Sequence, residues 1–131
     1  MQKLFIAAAL VATLFASGCS QRVADLTVAS TTNVNMNSDQ FIEGNRVEGV
    51  DNVPAVILPL GVPNVETAID DATDSSKCVV GLADAVVDYT FFYLYFGFFE
   101  YSVTGTEIID LSKPGCEDYA KKLEENVKSE G

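Results

Sequence analysis

Asp70, Asp71 and Asp74 crowd one short stretch, and Asp84 and Asp88 share one side of an alternating run. Clustered carboxylates supply the oxygen ligands that Ca²⁺ takes, and two on one strand face suit a general acid and base. No EF-hand spacing or Gly-rich acidic loop accompanies the first group, so it reads as the solvated face of a helix. The second reads as the solvent side of a strand. The chain has no His, which removes the imidazole base and leaves Cys78 and Cys116 short of a zinc ligand set. No nucleophile elbow, phosphate loop, triad or zinc spacing occurs. The expectation is a protein that is no enzyme and has neither metal nor cofactor.

Charge narrows the partners. With 19 acidic and 8 basic residues, the formal net charge is −11. Phosphate repulsion then argues against nucleic acid. The 131 residues allow one small domain, and an apolar content of 48% is too high for a disordered chain.

The chemistry most concentrated in this chain is apolar. Tyr89–Tyr101 (YTFFYLYFGFFEY) holds nine of the eleven aromatic residues that follow position 18. Alternation holds on both flanks and fails between them, so both faces of the segment are apolar. Three readings follow: core covered by helix and loop, the lining of a pocket for a small apolar ligand or lipid, or an exposed contact surface. The functional expectation takes the last, with Phe91, Phe92, Tyr93, Tyr95, Phe96, Phe98 and Phe99 as its residues. Exposed apolar patches of this size mark interaction sites, and Tyr suits a membrane–water boundary.

These residues must be held by a sheet. Ala83, Ala85, Val87, Tyr89 and Phe91 alternate with Asp84, Val86, Asp88 and Thr90, and Phe99, Tyr101 and Val103 alternate with polar partners. A hairpin turning near Phe96-Gly97 pairs the two strands, with Gly105 a bulge position. Upstream, Asp25–Met36 reads as a strand and Phe41–Val50 as a strand or a hairpin broken at Gly44-Asn45. Val53–Pro63, with three prolines, reads as a loop. Asn64 caps a helix with Val65, Ala68, Ile69 and Ala72 on its apolar face, ending around Ser75–Cys78. Cys116, Tyr119, Ala120, Leu123 and Val127 form the stripe of a short C-terminal helix, with Glu117–Lys121, Asp118–Lys122 and Glu124–Lys128 at pairing distance. The fold class is α+β: a small antiparallel sheet in strand-strand-helix-strand-strand order, one helix packed on a face, and a C-terminal helix.

The N-terminus reads as an address. Lys3 precedes the stretch Leu4–Ala16, apolar apart from Thr13 and too short for the ~20 residues that span a bilayer. It ends in Ala16-Ser17-Gly18-Cys19, which resembles the lipobox of bacterial lipoproteins, with Ala16 where Leu is usual. The resemblance implies a signal peptide over 1–18, cleavage before Cys19, and acylation of Cys19 with palmitate among the chains. Ser20, in place of a retaining Asp, implies the outer membrane, with the protein lipid-anchored and facing the periplasm. Partners are then the membrane, through the lipid, and an envelope protein. Residues 19–24 read as a lipidated N-terminus and short tether, and 25–131 as the domain. With Cys19 acylated, Cys78 and Cys116 remain as an even pair in an oxidising compartment, which predicts a disulfide over two free thiols.

A second resemblance rests on Arg46-Val47-Glu48-Gly49, Ala83-Asp84-Ala85-Val86-Val87 and Val103-Thr104-Gly105-Thr106. It is to a group of small bacterial lipoproteins with a helix, an alternating strand, an aromatic stretch and a strand ending in V-x-G-T. That group has no established biochemical activity, so the resemblance bears on fold alone.

Overall fold

The computed structural model describes residues 1, 2, 6, 9, 19–34 and 37–130, with backbone alone at 123, 126, 127, 129 and 130. Apart from Ile6 and Ala9, the apolar stretch Leu4–Ala16 lies outside the described residues. So do Ser17, Gly18 and Met36, and the side chains of Leu123 and Val127.

Five strands form one antiparallel sheet: β1 Cys19–Ala29, β2 Phe41–Val56, β3 Leu58–Pro59, β4 Val79–Tyr93 and β5 Phe96–Asp110. Their spatial order is β1-β4-β5-β2-β3. Helix α1, Val65–Thr73, lies between β3 and β4 in the chain, and α2, Tyr119–Glu130, follows β5. The expected antiparallel sheet with two short helices is present. It is richer in strand than the sequence suggested.

The strand boundaries correct several expectations. β1 begins at Cys19, so residues 19–24 are sheet and not tether. It ends at Ala29, not at Met36, because side chains take over from the ladder. The Ser30 and Thr32 hydroxyls both donate to the Val80 carbonyl, at 2.5 and 3.2 Å, and turn the chain away. β2 runs unbroken through Gly44-Asn45, which is a bulge and not a turn. The Asn45 N–H freed there donates to the buried Glu107 carboxylate at 3.3 Å, and the Ser75 hydroxyl donates to the same group. The stretch expected as a loop from Val53 instead completes β2, then folds back through β3.

Helix α1 starts where the sequence put it. Asn64 has extended backbone (φ −126°, ψ 131°), and its side chain accepts from Glu66 N–H at 2.9 Å. Its buried face, Ala68, Ile69 and Ala72, packs on Leu82, Ala85, Val87 and Val103. The contact is close because Gly49 of β2 has no side chain. A Cβ there would sit 2.1 Å from the Ala68 carbonyl oxygen and 2.3 Å from Ala72 N. The expected row on β4 is shifted. A bulge between Ala83 and Val86, with Asp84 at φ 48°, puts Leu82 in the core and leaves Ala83 out of it.

A second cluster closes the opposite end. Cys78 and Cys116 form a disulfide with Cα atoms 5.7 Å apart, among Val79 and Ile109. Cys116 lies in the turn before α2 and not on the helix. Asp118 pairs with Lys121 at 3.3 Å, at i,i+3, and not with the expected Lys122.

Candidate interaction surface

The ladders align one rung across the sheet. Cys19 pairs with Phe91, Phe91 with Phe99, and Phe99 with Val53. Beyond this rung stand Phe92, Phe98 and Pro54, then Tyr93, Gly97 and Ala55. The β4–β5 hairpin turns over Leu94 and Tyr95, slightly earlier than expected. Gly97 is required just after the turn, since a Cβ there would stand 1.8 Å from the Phe92 carbonyl oxygen.

The seven aromatics divide into two groups. Phe91, Tyr93, Tyr95 and Phe96 are exposed, with Tyr95 at 73% and Phe96 at 69%. Phe92, Phe98 and Phe99 are half-buried, and none of the seven belongs to a core cluster. Helix α1 packs with neither group. It covers the sheet around Val87 and Val103, and the rungs nearer the hairpin turn lie past its end. The rings there contact one another: Tyr93 and Phe99 stack with centroids 6.4 Å apart, and Tyr89 lies 6.0 Å from Phe91.

A second apolar element joins this end. Val56, Ile57, Leu58, Leu60 and Val62, on and after the β2–β3 turn, are all exposed, Ile57 at 76%. Sequence reasoning missed them as contact residues and treated the stretch as a crossing loop. The signal present was the uncharged run from Asn52 to Val65 in a chain with 27 charged side chains, 19 acidic and 8 basic. Ile57 N–H donates to the Tyr95 carbonyl at 3.0 Å, and the Tyr93 hydroxyl donates to the Ile57 carbonyl at 2.5 Å. The two turns are therefore one unit. Ile57 is held at φ 62°, a conformation that β-branched residues avoid, and such strain concentrates at functional sites.

The carboxylates are engaged elsewhere. Asp71 accepts from the Val50 N–H at 3.0 Å, covering the free edge of β2, and Asp70 accepts from the Thr31 hydroxyl. The β4 bulge takes Asp84 out of the row that holds Asp88. Among the described residues no group of His, Cys, Asp and Glu is placed to hold a metal ion. Cys19 is exposed and unbridged.

A cavity of ≈ 530 Å³ lies at the other end of the sheet, lined by Val28, Val34, Phe41, Ile42, Val80 and Ile108 among others. None of the aromatics of 91–99 reaches it. Among the described residues, no helix is long and apolar enough to cross a membrane. The chain matches no protein-family model, no curated protein and no solved structure.

Proposed function

We propose that this is a lipid-anchored protein of the bacterial outer membrane, periplasm-facing, that acts as a structural or interaction module through its aromatic hairpin. The observation that carries the reading is the exposure of Tyr95 and Phe96 at an end of the sheet that lies outside the cluster packed under α1. Lipidation at Cys19 follows from the leader and the Ala16-Ser17-Gly18-Cys19 sequence. Ser20 favours the outer over the inner membrane. No reaction is assigned to the protein.

Two measurements test this. Labelled fatty acid should enter the wild-type chain and not Cys19→Ala. A photo-crosslinking residue at Tyr95 should capture a component of the native envelope, whereas one at the exposed Gln40, at the other end of β2, should not. Absence of label in the wild type overturns the anchor. Equal or absent capture at both positions overturns the contact surface.

The ≈ 530 Å³ cavity favours a second reading, a binding module for a small apolar ligand or lipid. Its volume falls in the range of small-molecule sites, and its lining is mostly apolar, with Ser30, Thr32 and Glu43 as its polar residues. An environment-sensitive apolar dye distinguishes the two. Binding abolished by Ala83→Phe, which fills the cavity, and unaffected by Phe96→Ser would favour the ligand reading.

A further inference from the structure

The anchor and the aromatic end share one rung, and that fixes what the aromatic end meets. We infer that the β4–β5 and β2–β3 turns insert together into the interface of the membrane that carries the Cys19 lipid, so that the domain stands on the bilayer by its apolar end. The inference rests on the lipoprotein reading above and goes further, since it names the bilayer, and not a protein, as the occupant of this surface.

The first argument is geometric. β1 begins at Cys19 itself, whose backbone pairs with Phe91, and the Thr90 hydroxyl donates to that of Ser20 at 3.1 Å. No linker separates an acylated Cys19 from the folded domain. Past this rung, β4 continues through Phe92 and Tyr93 to the turn at Leu94-Tyr95. At ~3.4 Å per residue, the turn stands about 10 Å beyond Cys19. On the other side of the sheet, β2 runs past Val53 to Val56 and the turn at Ile57, over a similar length. A cysteine acylated at headgroup level leaves this end no room in water. The depth matches the ~5–10 Å to which interfacial segments bury their apolar faces.

The second argument is charge. Residues 19–21, 52–65 and 89–99 contain no Asp, Glu, Lys or Arg, although the chain carries a net charge of −11. Charges resume one rung below Cys19, where Glu100 accepts from the Asn52 side chain at 2.8 Å. A protein-binding patch has no need to exclude charge from three separate segments. An interfacial one does, because each ion brought to the hydrocarbon boundary is costly. The acidic body is repelled by anionic headgroups and holds the domain upright on this end. Tyr93 and Tyr95 bring the rings with polar tips that concentrate at membrane interfaces.

The third argument is the strain at Ile57. A turn shaped by stability alone would place Gly or Asn at φ 62°. Ile there, with its side chain outward, provides apolar area beside Tyr95 where only a contact outside the protein can use it.

The chain has no Trp, so a single introduced indole reports its own position. Full-length, lipidated Tyr95→Trp and Gln40→Trp proteins are reconstituted into vesicles of phosphatidylethanolamine and phosphatidylglycerol. Brominated phospholipids replace part of the lipid, and mass spectrometry first confirms acylation of Cys19. The expected result is a blue-shifted emission from the Tyr95→Trp protein, which bromolipid quenches several-fold more than that of Gln40→Trp. Adding Ile57→Ser and Leu58→Ser should reduce that quenching while the protein stays on the vesicles. Vesicle-bound, acylated Tyr95→Trp protein that is quenched no more than Gln40→Trp overturns the inference and leaves the anchor intact. A Cys19 without acyl groups in the native envelope overturns the lipoprotein reading itself.

Discussion

Tyr93 donates its hydroxyl hydrogen to the carbonyl of Ile57, 2.5 Å away, and thereby ties the tip of one hairpin to the turn of another. The residues are 36 apart in the chain, and the bond connects two segments that each lack charge. It also holds Ile57 in the left-handed region. The L-residue cost of that conformation is ~1–2 kcal/mol. Ile57→Asn is therefore expected to raise the unfolding free energy by about 1 kcal/mol, since Asn tolerates this conformation. Tyr93→Phe is expected to lower it by about 1 kcal/mol, the net value of one hydrogen bond. Urea denaturation of the two variants checks both signs, and a loss of stability in Ile57→Asn would contradict the strain.

Gly49 is the point at which α1 can approach β2. An added Cβ meets backbone atoms of Ala68 and Ala72, which cannot rotate away as a side chain can. Gly49→Ala should thus cost at least ~3 kcal/mol, the upper part of the range for overpacking. Gly61→Ala provides the contrast, since the nearest atom to its Cβ is Val53 Cγ1 at 3.4 Å. That variant should change the midpoint of denaturation little. Equal effects at the two glycines would show that α1 does not dock as described.

Much of the fold is legible where the deciding interaction is local. The start of α1 follows from Asn64 and Glu66, two residues apart, and the β4–β5 hairpin from alternation on either side of one turn. The features that escape reading depend on distant partners. Nothing near Ser30 marks the end of β1, because the acceptor that stops it is the carbonyl of Val80. Gly44-Asn45 carries a turn signal, yet the Asn45 N–H is taken up by Glu107 and the strand continues as a bulge. The same holds for the candidate site. The aromatic run announces itself, whereas Val56–Leu60 becomes part of it only through the bonds from Ile57 to Tyr93 and Tyr95.

The Cys78–Cys116 bridge spans a sequence separation of 38 and joins the turn before α2 to the start of β4. On the chain-entropy account a loop of that length stabilises by roughly 4 kcal/mol. Cys78→Ser with Cys116→Ser is expected to lose about that amount, measured by denaturation. Non-reducing peptide mapping of the native protein should recover the linked pair. Two freely alkylatable thiols in the native protein would contradict the bridge.

Asp110 titrates below the ordinary aspartate range. The Ser112 hydroxyl donates to it at 2.6 Å and the Ser112 backbone N–H at 2.9 Å, and both favour the charged form. Lys113 adds to the shift, and desolvation opposes it. A carboxyl whose pKa is lowered on folding adds stability above its unfolded-state pKa, and that contribution disappears as pH falls through the folded-state pKa. In a carbon-detected NMR titration, the Asp110 carboxyl should change at a lower pH than an aspartate in an unstructured peptide. Ser112→Ala should move it back up. A midpoint indifferent to Ser112 would remove the assigned cause.

The aromatic end and the core should separate cleanly in stability. Leu82 and Val103 are fully buried beneath α1 and touch Ala68 and Ile69 through one packed cluster. Removing most of such a side chain deletes transfer energy and leaves a cavity, so Leu82→Ala should cost ~2–5 kcal/mol. Phe96 is 69% exposed and Tyr95 73%, and their rings lie outside both core clusters. Their replacement by Ser deletes little that folding buries, and surface changes of that kind stay within about 0.5 kcal/mol. Tyr95→Ser with Phe96→Ser should therefore leave the denaturation midpoint nearly unchanged while vesicle quenching or envelope crosslinking falls. The two readings of the aromatic run make opposite forecasts for this one double variant. A loss of several kcal/mol would assign the rings to the core and end the contact-surface reading. Retained stability with lost contact would leave the exposed rings no role in folding and a role outside the domain.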